Sequence, residues 1–104
     1  MNTYRTQNYV KDKGIVITGA SSGFGKETAK KAAELGGKVV LAARREHLLR
    51  EIVQEIREDG GEASYIGTDV RVRDQVERMI RFAVETYGAV DVLINDAGTM
   101  PLAW

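Results

Sequence analysis

The chain has 104 residues, 43% hydrophobic and 29% charged, enough for one modest core and too few for two independent domains. Fifteen basic and fifteen acidic residues cancel, so no global field draws the protein to nucleic acid or to an anionic membrane surface. There is no cysteine and a single histidine, which excludes a disulfide framework, a thiolate nucleophile and a structural zinc site. The polar start, Met1 to Gly14, lacks the apolar run of a signal peptide, and no stretch approaches the roughly 20 apolar residues of a membrane span. A soluble, cytoplasmic protein is the expectation.

Residues 1–13 form a polar lead-in, and from Gly14 onward short β-branched runs alternate with longer segments of helical period. That alternation argues for βαβ units on a parallel sheet, with four strands and three helices. Ile15-Val16-Ile17 is a continuous apolar run of the kind buried on both faces, and it opens directly into Thr18-Gly19-Ala20-Ser21-Ser22-Gly23-Phe24-Gly25. The first helix is expected from Gly25, with Thr28, Ala32 and Leu35 on one face and Gly36-Gly37 as its left-handed stop. A second strand follows at Val39 to Ala43. The second helix, His47 to Glu58, aligns Leu48, Leu49, Ile52, Val53 and Ile56 in one stripe and closes at Gly60-Gly61. Ala63 to Gly67 is a weaker strand, supported mainly by its place between two clear helices. The third helix, Arg73 to Tyr87, spaces Val76, Met79, Ile80, Ala83, Val84 and Tyr87 by threes and fours and ends at Gly88. Asp91 to Asn95 carries the fourth strand, and the chain ends at Trp104.

A strand that runs into a helix through Gly19, Gly23 and Gly25 presents free backbone N–H groups and the positive end of a helix dipole, a combination suited to phosphate. Three glycines after a strand also serve as a plain tight turn. The position of the cluster, ending the first strand and starting the first helix with a second βα unit behind it, favours the dinucleotide-binding reading.

The residues Thr18 to Gly25 resemble the TGxxxGxG signature of the short-chain dehydrogenase/reductase family. Asp69-Val70, after the third strand, is similar to that family's Asp-Val pair, and Asn95-Asp96-Ala97-Gly98 resembles its NNAG motif. The resemblance runs from Lys13 to Trp104. It implies a Rossmann-type doubly wound α/β sheet of strand order 3-2-1-4, a partial NAD(P)-binding domain over residues 14–104 that stops after strand four. It further implies that Gly19, Ser21, Ser22, Gly23, Phe24, Gly25, Asp69, Val70, Asn95, Ala97 and Gly98 surround a nicotinamide dinucleotide. In that picture Asp69 accepts a hydrogen bond from the adenine amino group and Asn95 helps fix the fourth strand. Asp96 departs from the pattern, placing a carboxylate where the family has a neutral amide.

Dinucleotide folds that select NAD carry an acidic residue at the end of strand two, because a carboxylate accepts the ribose hydroxyls and repels a 2′-phosphate. This chain has Ala43 there, followed by Arg44 and Arg45, whose guanidinium forks suit a phosphate. NADP(H) rather than NAD(H) is the expected cofactor, against the plainer reading of two solvated surface arginines.

The family resemblance also implies a serine, a tyrosine and a lysine downstream of the fourth strand, beyond Trp104. The expected catalytic set of this chain is therefore empty. Tyr9 and Lys13 satisfy a Tyr-x-x-x-Lys spacing but precede strand one, at the end of the sheet away from the glycine loop, and His47 reads as a solvated residue in the first turn of helix two. Two functional classes stay open: the cofactor-binding fragment of an oxidoreductase, and a non-catalytic nucleotide-binding or interaction module built on the half-fold. Self-association through the fourth strand, or poor solubility, is expected, because nothing in Asp91 to Asn95 blocks its edge with proline or lysine.

Overall fold

The computed structural model describes residues 9–97. Seven elements follow in strict alternation: β1 (Gly14–Thr18), α1 (Gly23–Glu34), β2 (Lys38–Ala43), α2 (Glu46–Glu58), β3 (Glu62–Gly67), α3 (Arg73–Tyr87) and β4 (Val92–Asn95). All three strand pairings are parallel, as the βαβ alternation implies, and the spatial order is β3-β2-β1-β4, as the family resemblance implies. Residues 98–104, including Gly98 of the NNAG-like segment, lie outside the described residues.

The central strands are buried on both faces, which explains why they read as unbroken apolar runs. Ile15, Ile17, Val39 and Leu41 face α1 and α2 and join Leu49, Ile52, Val53 and Ile56 in one cluster. Val16, Val40 and Ala42 point to the other face and meet Val76, Met79 and Ala83 of α3. Each large side chain withdrawn from water in these layers stabilises the fold by roughly 1.5–3 kcal/mol. The helices stop where glycine adopts the left-handed region: Gly36 at φ 93°, Gly60 at 88° and Gly88 at 89°.

Three details differ from the sequence expectation. Helix α1 buries Gly25, Ala29 and Ala33, not the Thr28, Ala32 and Leu35 face. The reason is distance: a Cβ at position 25 would stand 2.6 Å from the Gly19 carbonyl oxygen and 2.7 Å from Ala20 Cα, so only a stripe of the smallest side chains lets the helix lie this close. Thr28, Ala32 and Leu35 instead face an apolar groove shared with Val92 and Ile94 of β4. Secondly, Val84 of the expected α3 stripe is exposed. Thirdly, Asp91 stands before β4 rather than within it. Its carboxylate accepts the Gly14 N–H at 2.8 Å and its own N–H donates to the Gly14 carbonyl at 2.8 Å, fastening the starts of β1 and β4 together.

Candidate cofactor site

All four strands point their carboxyl ends at one rim of the sheet, and the segments leaving β1, β2, β3 and β4 meet there around a cleft of about 470 Å³. Ligands of open α/β sheets bind at this rim, where the chain departs in opposite directions from neighbouring strands. Here β1 leads to α1 on one face and β4 lies on its far side, so the division falls between these two strands.

The first wall is the loop from β1 to α1. Gly19 holds φ 68°, a left-handed conformation, and a Cβ there would lie 2.8 Å from the Asp96 carbonyl carbon. Ser22 caps α1: its Oγ accepts the Gly25 N–H at 3.1 Å and donates to the Gly19 carbonyl at 2.9 Å. The N–H groups of Gly23 and Phe24 precede the first i to i−4 bond of the helix and have no acceptor within it. No acidic residue stands in the first turn to oppose an anion, and a Cβ at Gly23 would meet nothing within 4 Å. This is open backbone at the positive end of a helix, the arrangement a phosphate group fits.

The second wall comes from β2. Ala43 is buried, and the exposed Arg44 and Arg45 follow it onto the cleft, with Leu48 of α2 behind them. Arg45 also starts α2, its carbonyl accepting the N–H groups of Leu48 and Leu49.

The third wall follows β3. Thr68, buried, donates its hydroxyl to the Ile66 carbonyl at 3.1 Å, and Asp69 and Val70 come next. Arg71 donates to Asp69 from its main chain and from its guanidinium. These bonds, aided by the charge of Arg44, hold the Asp69 carboxyl well below the ordinary range, at about 2. Its ionised form is therefore present throughout the neutral range. What this carboxylate adds to stability is complete well above its ordinary value of 3.8 and is lost progressively as the pH falls from there through about 2.

The fourth wall is the end of β4. Asn95 Oδ1 accepts the Thr18 hydroxyl at 2.7 Å and the Ala97 N–H at 3.1 Å, tying the ends of β1 and β4 to the segment that follows. The Asp96 N–H extends the ladder to the Thr18 carbonyl, while its Oδ2 is buried with no hydrogen-bond partner among the described residues.

The fold thus brings Gly19, Ser21, Ser22, Arg44, Arg45, Asp69, Val70 and Ala97 to one cleft, out of the residues expected there from sequence. Gly23 and Gly25 stand in the first turn of α1 behind it, Gly25 serving helix packing, and Asn95 braces the β4 wall from outside the lining. Phe24, 75% exposed, borders the apolar groove between α1 and β4 instead. Leu48, Thr68 and Arg71 line the cleft without having been singled out in the sequence. Leu48 reads in the sequence only as part of the apolar stripe of α2, and nothing there points to Thr68 or Arg71. Tyr9 is 79% exposed and Lys13 pairs through its carbonyl with Lys38, both at the opposite end of β1 from the cleft. Among the described residues no group of histidine and acidic side chains is placed to hold a metal ion, and no helix is long and apolar enough to cross a membrane.

Comparison with known proteins agrees with this geometry. Residues 13–103 match the short chain dehydrogenase family model. An uncharacterized oxidoreductase of Listeria monocytogenes, Lmo0432, is 50% identical over 92 residues, which cover 88% of this chain and 37% of that protein. The chain therefore spans well under half the length of that relative. Among solved structures, a variant actinorhodin polyketide ketoreductase with NADPH superimposes with a TM-score of 0.78 at 42% identity, over 85% of this chain and 34% of the other. A metagenomic short-chain oxidoreductase in complex with NADP gives 0.81 at 37% identity, over 86% and 41%. With the family model matched over nearly its whole length and the parallel 3-2-1-4 sheet in place, this chain belongs to the short-chain dehydrogenase family.

Proposed function

We propose that the chain is the NADP(H)-binding portion of a short-chain dehydrogenase/reductase, an oxidoreductase whose complete form transfers hydride between a nicotinamide cofactor and a carbonyl or alcohol. The observation that carries this reading is the end of β2, where Ala43 leaves no carboxylate to repel a 2′-phosphate and Arg44 and Arg45 open onto the same cleft as the glycine loop. Of the two structural neighbours, the ketoreductase is in complex with NADPH and the metagenomic oxidoreductase with NADP, which supports the same choice.

In this reading the free N–H groups at the head of α1 take the pyrophosphate, and the absence of a side chain at Gly23 permits its approach. Arg44 and Arg45 bind the 2′-phosphate through charge-assisted bonds. Asp69 accepts the adenine amino group beside Val70, and Ala97 borders the nicotinamide end, with Asn95 bracing the wall behind it. The bound nicotinamide supplies the hydride chemistry. The family moves the accompanying proton with a serine, a tyrosine and a lysine; among the described residues no tyrosine or lysine lines the cleft, and Tyr9 and Lys13 lie at the opposite end of the sheet. Fluorescence titration of the 104-residue chain with NADPH is expected to give saturable binding, while a broad panel of carbonyl compounds gives no NADPH oxidation above background. Failure to bind NADPH overturns the reading; turnover abolished by Tyr9→Phe overturns the exclusion of that pair.

The edge of β4 leads to a second expectation. Among the described residues this strand pairs only with β1, and Val92 on it is 41% exposed. An unblocked edge of this kind pairs with another chain. Light scattering behind size exclusion is expected to show association that grows with concentration, and Val92→Lys is expected to suppress it. A monomer at every concentration, unaltered by that substitution, contradicts pairing through β4.

A further inference from the structure

An ionised aspartate offers about four lone-pair positions, two on each oxygen. At Asp69, Arg71 occupies three of them. Its main-chain N–H and its Nε both donate to Oδ1 at 3.0 Å, and Nη2 donates to Oδ2 at 3.0 Å. Oδ1 is thereby filled, and one acceptor position remains, on Oδ2. The main chain of Asp69 is committed as well, its N–H to Gln75 Oε1 at 2.7 Å and its carbonyl to the Val72 N–H at 3.0 Å. The Asp69 side chain is 23% exposed and lines the cleft, so this last position is what a ligand meets.

We propose that Arg71 is a base-specificity determinant of this site, a positioning residue that leaves Asp69 a single fixed acceptor and so makes the cleft select a 6-aminopurine over a 6-oxopurine. The proposal rests on the nucleotide-binding reading and extends it to the choice of base. A 6-amino group brings an N–H to the one open position. A 6-oxo group brings a second acceptor against it, and the two sets of lone pairs leave the carboxylate and the carbonyl unpaired, the mismatch that polar sites reject most strongly. The rejection requires that the carboxylate stay still. The bidentate guanidinium fork, closed by the main-chain bond two residues along, holds its plane, and no point charge has that geometry. Freed of the fork, the carboxylate turns and presents either oxygen, including to the N1–H that a 6-oxopurine carries beside its carbonyl. Discrimination then falls.

The test uses the 104-residue chain with Arg71→Ala and Arg71→Lys variants, titrated with NADPH and with its reduced hypoxanthine analogue, and thermal unfolding followed in parallel. The unsubstituted chain is expected to favour NADPH by about 10- to 100-fold, the discrimination that one hydrogen bond to a charged group confers. In both variants that preference is expected to drop to within about threefold. Arg71 is 70% exposed, so truncating it empties no core, and the lysine variant keeps the charge should the alanine variant fold poorly. Equal preference in Arg71→Ala and the unsubstituted chain overturns the proposal, and so does full preference in Arg71→Lys, which identifies a simple ion pair. If the unsubstituted chain binds NADPH without preferring it to the analogue, the base-selection proposal fails alone; if it binds neither nucleotide, the nucleotide reading fails with it.

Discussion

NADPH is expected to bind this chain more tightly than NADH, and Arg44→Asp to reverse that order. The substitution removes one charge-assisted contact to the 2′-phosphate, a loss of about 1.5–3 kcal/mol, or roughly 10- to 150-fold in affinity for NADPH. It also installs at the end of β2 the carboxylate that NAD-selective folds use to hold ribose hydroxyls, so NADH binding is expected to hold or improve. Arg44 is exposed and makes no hydrogen bond in which a core group depends on it, so thermal stability is expected to change little. Its charge also acts on Asp69, but less than the direct bonds from Arg71, and the adenine end is expected to be disturbed only slightly. Fluorescence titration of both nucleotides into both proteins is the measurement. Equal affinity of the unsubstituted chain for NADPH and NADH contradicts the assignment of Arg44 and Arg45.

Gly19→Val is expected to be the more damaging substitution, and to act on the fold. Position 19 holds φ 68°, where a β-branched residue is strained by about 1–3 kcal/mol, and the added Cβ lies within 2.8 to 3.0 Å of backbone atoms of Asp96 and Ala97. Backbone so placed cannot rotate away as a side chain end would, and overpacking adds a further 1–3 kcal/mol or so. The sum, about 2–6 kcal/mol, reaches at its upper end the whole stability of a marginal domain, about 5 kcal/mol. Circular dichroism melting is expected to show a fall in midpoint of many degrees or loss of the cooperative transition. Gly23→Ala is the matched control: a Cβ there meets nothing within 4 Å, so the fold should persist while the methyl group obstructs the approach of phosphate and weakens nucleotide binding. Unchanged melting of Gly19→Val contradicts the account of the loop.

The order and type of every element were legible in the sequence because they rest on local physics. Two-sided burial writes unbroken apolar runs into Ile15–Ile17 and Val39–Ala43, and a helix stripe repeats every three or four residues in α2. Glycine marks the helix ends because the chain turns to positive φ there, at Gly36, Gly60 and Gly88. The glycine loop and the two arginines were legible for the same reason, each lying next to the strand end that aims it. The tertiary structure alone decided what depends on distance between remote segments. That α1 packs through Gly25, Ala29 and Ala33 follows from how closely the helix sits on Gly19 and Ala20, and a search for bulky apolar residues passes over a stripe chosen for smallness. Asp91 looked like the first residue of a strand, yet it binds Gly14, 77 positions away, through its side chain. At Asp69 the sequence offered a resemblance to the family's Asp-Val pair, but only folded geometry shows the Arg71 fork filling one carboxylate oxygen and half-filling the other. Periodicity records which face of an element avoids water; which atoms then meet is set by the approach of whole elements, and no local stretch of sequence contains that distance.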